Sequence, residues 1–269
     1  LFVKEKKMKK RKLNKKKSRK GIYILPNLFT TVSLFFGFFS IVSTLEQRYE
    51  PAAIMILISC VFDILDGRVA RLTHTTSQFG MEYDSLSDLV AFGVAPGILI
   101  FKWSLQSIGR LGWLACFVYI ACGALRLARF NVHVRNGKEV SYFKGLPIPA
   151  AASFIACIIL FSKMISLHWN PLFLLISVYV LSFLMVSNIN YLSLKGDELS
   201  QRKPFNVLVT TVLLLVFIAY KPKLIIPILV LAYVVSGPLL SLYRLYREKR
   251  IPVKAEKVAV NGYEDNRGQ

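Results

Sequence analysis

Three features of the 269-residue sequence predict an all-α fold, a polytopic membrane helix bundle of six core helices plus two further C-terminal transmembrane helices. The first is composition: hydrophobic residues make up 54% of the chain, mean hydropathy is +0.49, and only 19% of residues are charged, against about 25% in a soluble domain. The second is clustering. Uncharged runs cover 21–45, 51–62, 89–101, 111–125, 145–162, 164–194, 204–220 and 224–243, and several match the roughly 20 residues that a helix needs to cross a hydrocarbon core. Such runs are too long for barrel strands of about 9–11 residues, and a backbone in lipid must satisfy its own polar groups. The third is the distribution of basic residues. Together they exclude a soluble dehydrogenase, kinase or DNA-binding domain.

Taken in order, helix one (26–45) has a Pro-containing entry at Pro26, and helix two (51–72) leads into a polar turn, His74 to Gln78. Helix three (83–103) lies beyond Gly80, helix four spans 110–130, helix five (147–165) opens at Pro147, and helix six spans 170–191. Helices seven (205–220) and eight (223–245) form a hairpin kept short by Pro222 and Pro227. The chain then divides into a basic tail (1–20), a membrane core (21–200), an additional transmembrane hairpin (201–247) and a polar C-terminal tail (248–269). Phe35, Phe36, Phe38 and Phe39 are expected to face lipid.

The formal net charge is +20, and residues 1–20 hold twelve Lys or Arg against one acid, Glu5. A basic arm without aromatic interleaving beyond Phe2, set directly before an apolar span, reads as a cytoplasmic tail facing anionic lipid and not as a nucleic-acid site. It is no secretory signal either, since the apolar run continues to Leu45 without a small-residue cleavage site. With the N-terminus inside, 29 of the 35 basic residues are cytoplasmic; Arg48, Lys102, Arg110, Lys163, Lys221 and Lys223 lie outside. The positive-inside rule thus places both termini in the cytoplasm of a multi-pass protein of the cell (inner) membrane. Cys60, Cys116, Cys122 and Cys157 read as small buried hydrophobes, without metal-like spacing.

Four aspartates stand near the inner ends of helices two and three, where an ionised side chain costs up to about 2.5–3.5 kcal/mol. Asp63 and Asp66 are three apart and Asp84 and Asp88 four apart, so each pair shares a helical face. Adjacent like charges repel unless cations sit between them, and hard oxygen donors without Cys or His favour Mg²⁺ or Mn²⁺. Two divalent ions would neutralise the four carboxylates. Gly67 and Ala70 extend the Asp63 face as nearly bare backbone, against which a bulky group could lie. Arg71 could meet a phosphate at the helix end.

Asp63-Ile-Leu-Asp66-Gly67-Arg-Val-Ala70-Arg71, with Gly80, Asp84 and Asp88 following at fixed intervals, reproduces D-x-x-D-G-x-x-A-R-x8-G-x3-D-x3-D. In this the sequence resembles the CDP-alcohol phosphotransferases. Leu25 to Thr30, Arg126 to Asn131 and Phe143 to Pro149 resemble the membrane-integral branch that uses L-serine. The resemblance implies a six-helix core over about 26–191, a homodimer, and conversion of CDP-diacylglycerol and L-serine to phosphatidylserine and CMP. It further implies that Asp63, Asp66 and Asp84 hold two divalent cations, with Asp88 sharing one and acting as general base. Nucleotide contacts would come from Asp63, Gly67, Ala70, Arg71, Gly80, Asn27 and Thr30, and serine or phosphate contacts from Arg126, Arg129, Asn131 and Lys144.

Several residues keep a second reading: helix capping for Asn27 and Thr30, positive-inside anchoring for Arg126, Arg129 and Lys144. The alternatives for function are the same chemistry with glycerol 3-phosphate or inositol phosphate as acceptor, or an ion-coupled transporter with intramembrane carboxylates.

Overall fold

In the computed structural model, residues 24–73, 77–135, 143–167, 169–191, 224–241 and 243 are described. They form α1 (Ile24–Leu45), α2 (Tyr49–Leu72), α3 (Gln78–Trp103), α4 (Arg110–Arg135), α5 (Ile148–Ile165), α6 (Pro171–Val186) and α7 (Leu224–Ser241). A short 3-10 turn (Leu105–Ile108) and the two-residue strands β1 (Phe143–Lys144) and β2 (Asn190–Tyr191) accompany them. Pro26–Leu45, α3, Arg110–His133, α5 and α7 are long and apolar enough to cross a membrane. The 24-residue α2 is as long but carries the charged residues, and α6 is apolar with 16 residues. The fold is therefore the expected polytopic helical bundle. The predicted helix 205–220 and both tails lie outside the described residues.

α1 and α2 meet along a seam of small polar side chains, which lets helices approach where lipid offers no hydrophobic drive to association. Ser33 and Ser59 face each other with their hydroxyls 2.8 Å apart, Ser59 Oγ donates to the Ser33 carbonyl at 2.9 Å, and Ser40 Oγ donates to the Ala52 carbonyl at 2.9 Å. On the next face of α1, Gly37 meets α3 at Ala91. A Cβ there would lie 2.6 Å from the Ala91 Cα, so only glycine permits this crossing. Of the four phenylalanines expected in lipid, Phe35 and Phe38 point outward, but Phe36 stacks on Phe62 of α2 at 5.4 Å.

α3 begins at Gln78, five residues earlier than its pattern predicts. Ser77 caps it by accepting from the Gly80 N–H at 3.0 Å, so Gly80 lies inside the first turn and not ahead of the helix. Midway, Leu89–Val94 widens into a π-helical segment, with the Ala95 N–H bonded to the Val90 carbonyl. Pro96 follows and has no N–H to give the carbonyl four residues back, Phe92. The buried Tyr119 of α4 donates its hydroxyl to that carbonyl at 3.0 Å, so a group that lipid could not satisfy is paired across helices.

α6 ends at Val186 rather than 191, because Ser187 onward turns away to run antiparallel to β1, with Phe143 opposite Tyr191 and Lys144 opposite Asn190. Gly145 takes φ +83°, and a Cβ would stand 2.3 Å from the Met185 carbonyl oxygen, so both conformation and space require glycine. The four cysteines are free; Cys116 and Cys157 are buried and Cys60 and Cys122 half-buried.

Candidate active site

The C-terminal half of α2 carries Asp63 and Asp66, and the N-terminal half of α3 carries Asp84 and Asp88. Asp63, Asp66 and Asp84 each offer one oxygen to a group in which all three lie within 4.8 Å of one another. Asp66 is the most enclosed, at 5% exposure, and its Oδ2 accepts from Thr30 Oγ1 at 2.9 Å. The same hydroxyl stands 3.1 Å from the Pro26 carbonyl one turn back in α1. The Thr30 carbonyl in turn accepts from Ser87 Oγ at 3.1 Å. Thr30 therefore ties α1 to both acid-bearing helices. Thr30 and Asn27 both lie within α1, and neither caps it at a described terminus.

Asp88 lies outside the three-residue set but within electrostatic reach of Asp63, Asp84, Asp66 and the guanidinium of Arg126. Carboxylates brought this close repel more strongly as water is withdrawn. Oxygen donors converging from two helices, with neither sulfur nor ring nitrogen in the set, fit a hard divalent cation of the Mg²⁺ or Mn²⁺ kind.

Space lies beside this cluster. A Cβ on Gly67, next to Asp66, would meet nothing within 4 Å, and Ala70 three residues on is half-buried. Gly80 is different, since a Cβ there would press on Ser77 Oγ at 3.1 Å and Asn27 Oδ1 at 3.3 Å; it packs the start of α3 against α1. Arg71 belongs to α2, but its side chain lies outside the described residues.

The basic residues separate into different roles. Arg126 is buried, with 8% exposure, beside Asp88 and Asp63, and its Nε has no hydrogen-bond partner among the described residues. That burial is not what a headgroup anchor requires. Arg129 holds backbone: Nη1 donates to the Val186 carbonyl at 3.1 Å, and Nη2 to the carbonyls of Lys144 at 2.9 Å and Ser187 at 3.2 Å. It thereby satisfies carbonyls left open at the end of α6. Asn131 Nδ2 bonds Ser85 Oγ at 3.0 Å and Glu82 Oε2 at 3.4 Å on α3, while the Lys144 side chain is exposed. Sequence reasoning did not single out Glu82 and Ser85, although two polar residues three apart in a membrane helix were a visible signal.

The sequence model of CDP-alcohol phosphatidyltransferases matches residues 23–189. The chain belongs to this family. Among curated relatives, the CDP-diacylglycerol–serine O-phosphatidyltransferase of Helicobacter pylori is 42% identical over 176 residues, 65% of this chain and 74% of that protein. The protein of the same name from Mycobacterium leprae is 33% identical over 227 residues, covering 81% and 74%. An archaetidylserine synthase from Methanothermobacter thermautotrophicus is 38% identical over 174 residues, covering 64% and 71%. Membership in this family of transferases displaces the transporter alternative. The family match contains α1 to α6 and the whole aspartate cluster, whereas α7 lies beyond it.

Proposed function

We propose that this protein transfers the phosphatidyl group of CDP-diacylglycerol to the hydroxyl of L-serine, giving phosphatidylserine and CMP. The observation that carries the chemistry is the convergence of Asp63, Asp66 and Asp84 beside the open surface at Gly67; the names of the relatives support serine as the acceptor. Asp63, Asp66 and Asp84 would hold two divalent cations, Mg²⁺ or Mn²⁺, with Asp88 sharing one. Bound there, they would supply positive charge to offset that of the diphosphate and of departing CMP.

The chain's own residues do the rest. Asp88 takes the proton of the serine hydroxyl as that oxygen forms its bond to the phosphorus bearing diacylglycerol. The bond from this phosphorus to the CMP oxygen breaks, and CMP leaves with the electron pair. Gly67 and Ala70 leave room for cytidine and ribose, with Asn27, Gly80 and Arg71 at the same end. Thr30 fixes the orientation of Asp66. Arg126 meets the serine carboxylate or the lipid phosphate, since its planar fork suits either anion. Arg129, Asn131 and Lys144 border the acceptor on α4 and β1. The protein acts as a homodimer in the cell's inner membrane with this site toward the cytoplasm, a reading supported by the family resemblance and the charge bias of the loops.

The test is product analysis with purified protein, labelled CDP-diacylglycerol, Mg²⁺ or Mn²⁺, and a panel of acceptors. CMP release should require L-serine, with phosphatidylserine as the lipid product. Release with glycerol 3-phosphate but not with serine would overturn the acceptor assignment while leaving the aspartate chemistry in place.

A further inference from the structure

α7 lies outside the family match, yet it is fitted closely to the core beside the acceptor residues. The fit centres on Tyr191, which is fully buried. Its ring occupies the place where Gly237 of α7 has no side chain; a Cβ there would lie 2.3 Å from the Tyr191 Cζ. The Tyr191 hydroxyl donates to the Val234 carbonyl at 3.3 Å, and the Tyr233 ring stands against that of Tyr191 with centroids 5.8 Å apart. Tyr191 is itself held by its pairing with Phe143, in the strand pair whose flanks Arg129 grips at the Lys144 and Ser187 carbonyls.

One turn before Arg129 on the same face of α4 stands Arg126. Its guanidinium is desolvated, with Nε buried and without a partner among the described residues, and Asp88 and Tyr233 are both within its electrostatic reach. A buried cationic donor lacking an acceptor is ordinarily costly. Its persistence beside the aspartates fits a group that completes its bonding when an anionic ligand arrives.

We propose that α7 closes the acceptor end of the site and that Tyr233, braced by Tyr191 against Gly237, is a positioning residue that holds Arg126 toward the anionic group of the acceptor. This rests on the serine reading above, in which that group is the amino-acid carboxylate.

The test uses the full chain in detergent, with Tyr233→Ala, Tyr233→Phe and Gly237→Val compared with the parent protein at saturating CDP-diacylglycerol. Thermal unfolding of each variant establishes that it folds. Tyr233→Ala and Gly237→Val should raise the serine KM by about tenfold with kcat changed less than about twofold and the CDP-diacylglycerol KM unmoved, the signature of lost uniform binding. Tyr233→Phe keeps the ring and should give a smaller rise. An unchanged serine KM in folded Tyr233→Ala, or a fall in kcat at constant KM, would overturn the proposal. If Gly237→Val does not fold, Tyr233→Ala decides alone, because it removes atoms from a half-buried position without overpacking. If the parent protein ignores serine, the acceptor reading fails first, and the same KM comparison with the alcohol it does use tests the role of α7.

Discussion

At the N-terminal end of α2, Glu50 is met by Lys163 of α5 and the neighbouring Glu46 by Arg48, in pairs that are mostly exposed. Tyr49, Trp103 and Trp169 line a cavity of about 670 Å³ at this end, together with Arg48 and Lys163, the aromatic and basic mixture that suits a membrane interface. Some 13 residues further along the same helix, about 20 Å by helical rise, Asp63 and Asp66 are set beside Asp84 of α3. One end places opposite charges where solvent weakens them, and each pair there is worth at most about 1 kcal/mol. The other gathers like charges in a half-buried place, an arrangement that opposes folding. A charge kept against its own stability interest points to chemistry, and this supports the proposed site at the second end independently of any relative.

The sharpest way to break this contrast is Asp66→Asn, Asp63→Asn or Asp84→Asn. Each should lower turnover by at least about 100-fold, on the scale of losing one group that stabilises transition-state charge. In EDTA each should unfold at the parent temperature or above it, since a like charge has gone. Added Mg²⁺ or Mn²⁺ should raise the unfolding temperature of the parent protein but not of Asp66→Asn. Calorimetry in detergent with and without EDTA checks both statements, and a large drop in unfolding temperature in EDTA would show the carboxylates to be structural.

Asp88→Asn comes next. It should reduce turnover by about 100-fold or more, within the range of general base catalysis, while CDP-diacylglycerol binding changes by less than about threefold. Parallel CMP-release and lipid-binding measurements distinguish this from simple loss of a metal ligand, which would weaken both together.

The smallest effects belong to the opposite end. Glu50→Gln or Lys163→Met should cost less than about 1 kcal/mol and leave CMP release unchanged. A turnover defect from either would mean that the two ends are coupled.

Much of this was legible in the sequence, for reasons that particular residues make plain. Uncharged runs located the helices because a span in lipid has few other solutions, and D-x-x-D with D-x-x-x-D fixed the aspartates to two helical faces. What the sequence did not disclose depended on contacts between distant segments. The start of α3 turned on Ser77 reaching Gly80, and the end of α6 on Ser187 to Tyr191 pairing with β1. Arg129 reads as an anion ligand by type, yet its donors are occupied by carbonyls 15 to 58 residues away in the chain. Tyr233 lies 107 positions from Arg126, and no local pattern joins them.

The π segment at Leu89–Val94 sets an angle. A π turn takes one residue more than an α turn, and a residue turns a helix by about 100°. The half of α3 that bears Asp84 and Asp88 is therefore rotated by about that amount relative to the half locked into the core at Leu99 and Ile100. An unbroken α-helix of equal length would reach the same depth in the membrane with its carboxylates aimed at the wrong neighbour. Substitution within 89–94 can leave this phase untouched, whereas gain or loss of one residue there must reset it. Alignment gaps in that stretch thus carry a different meaning from gaps in the loops: they report where the acids point.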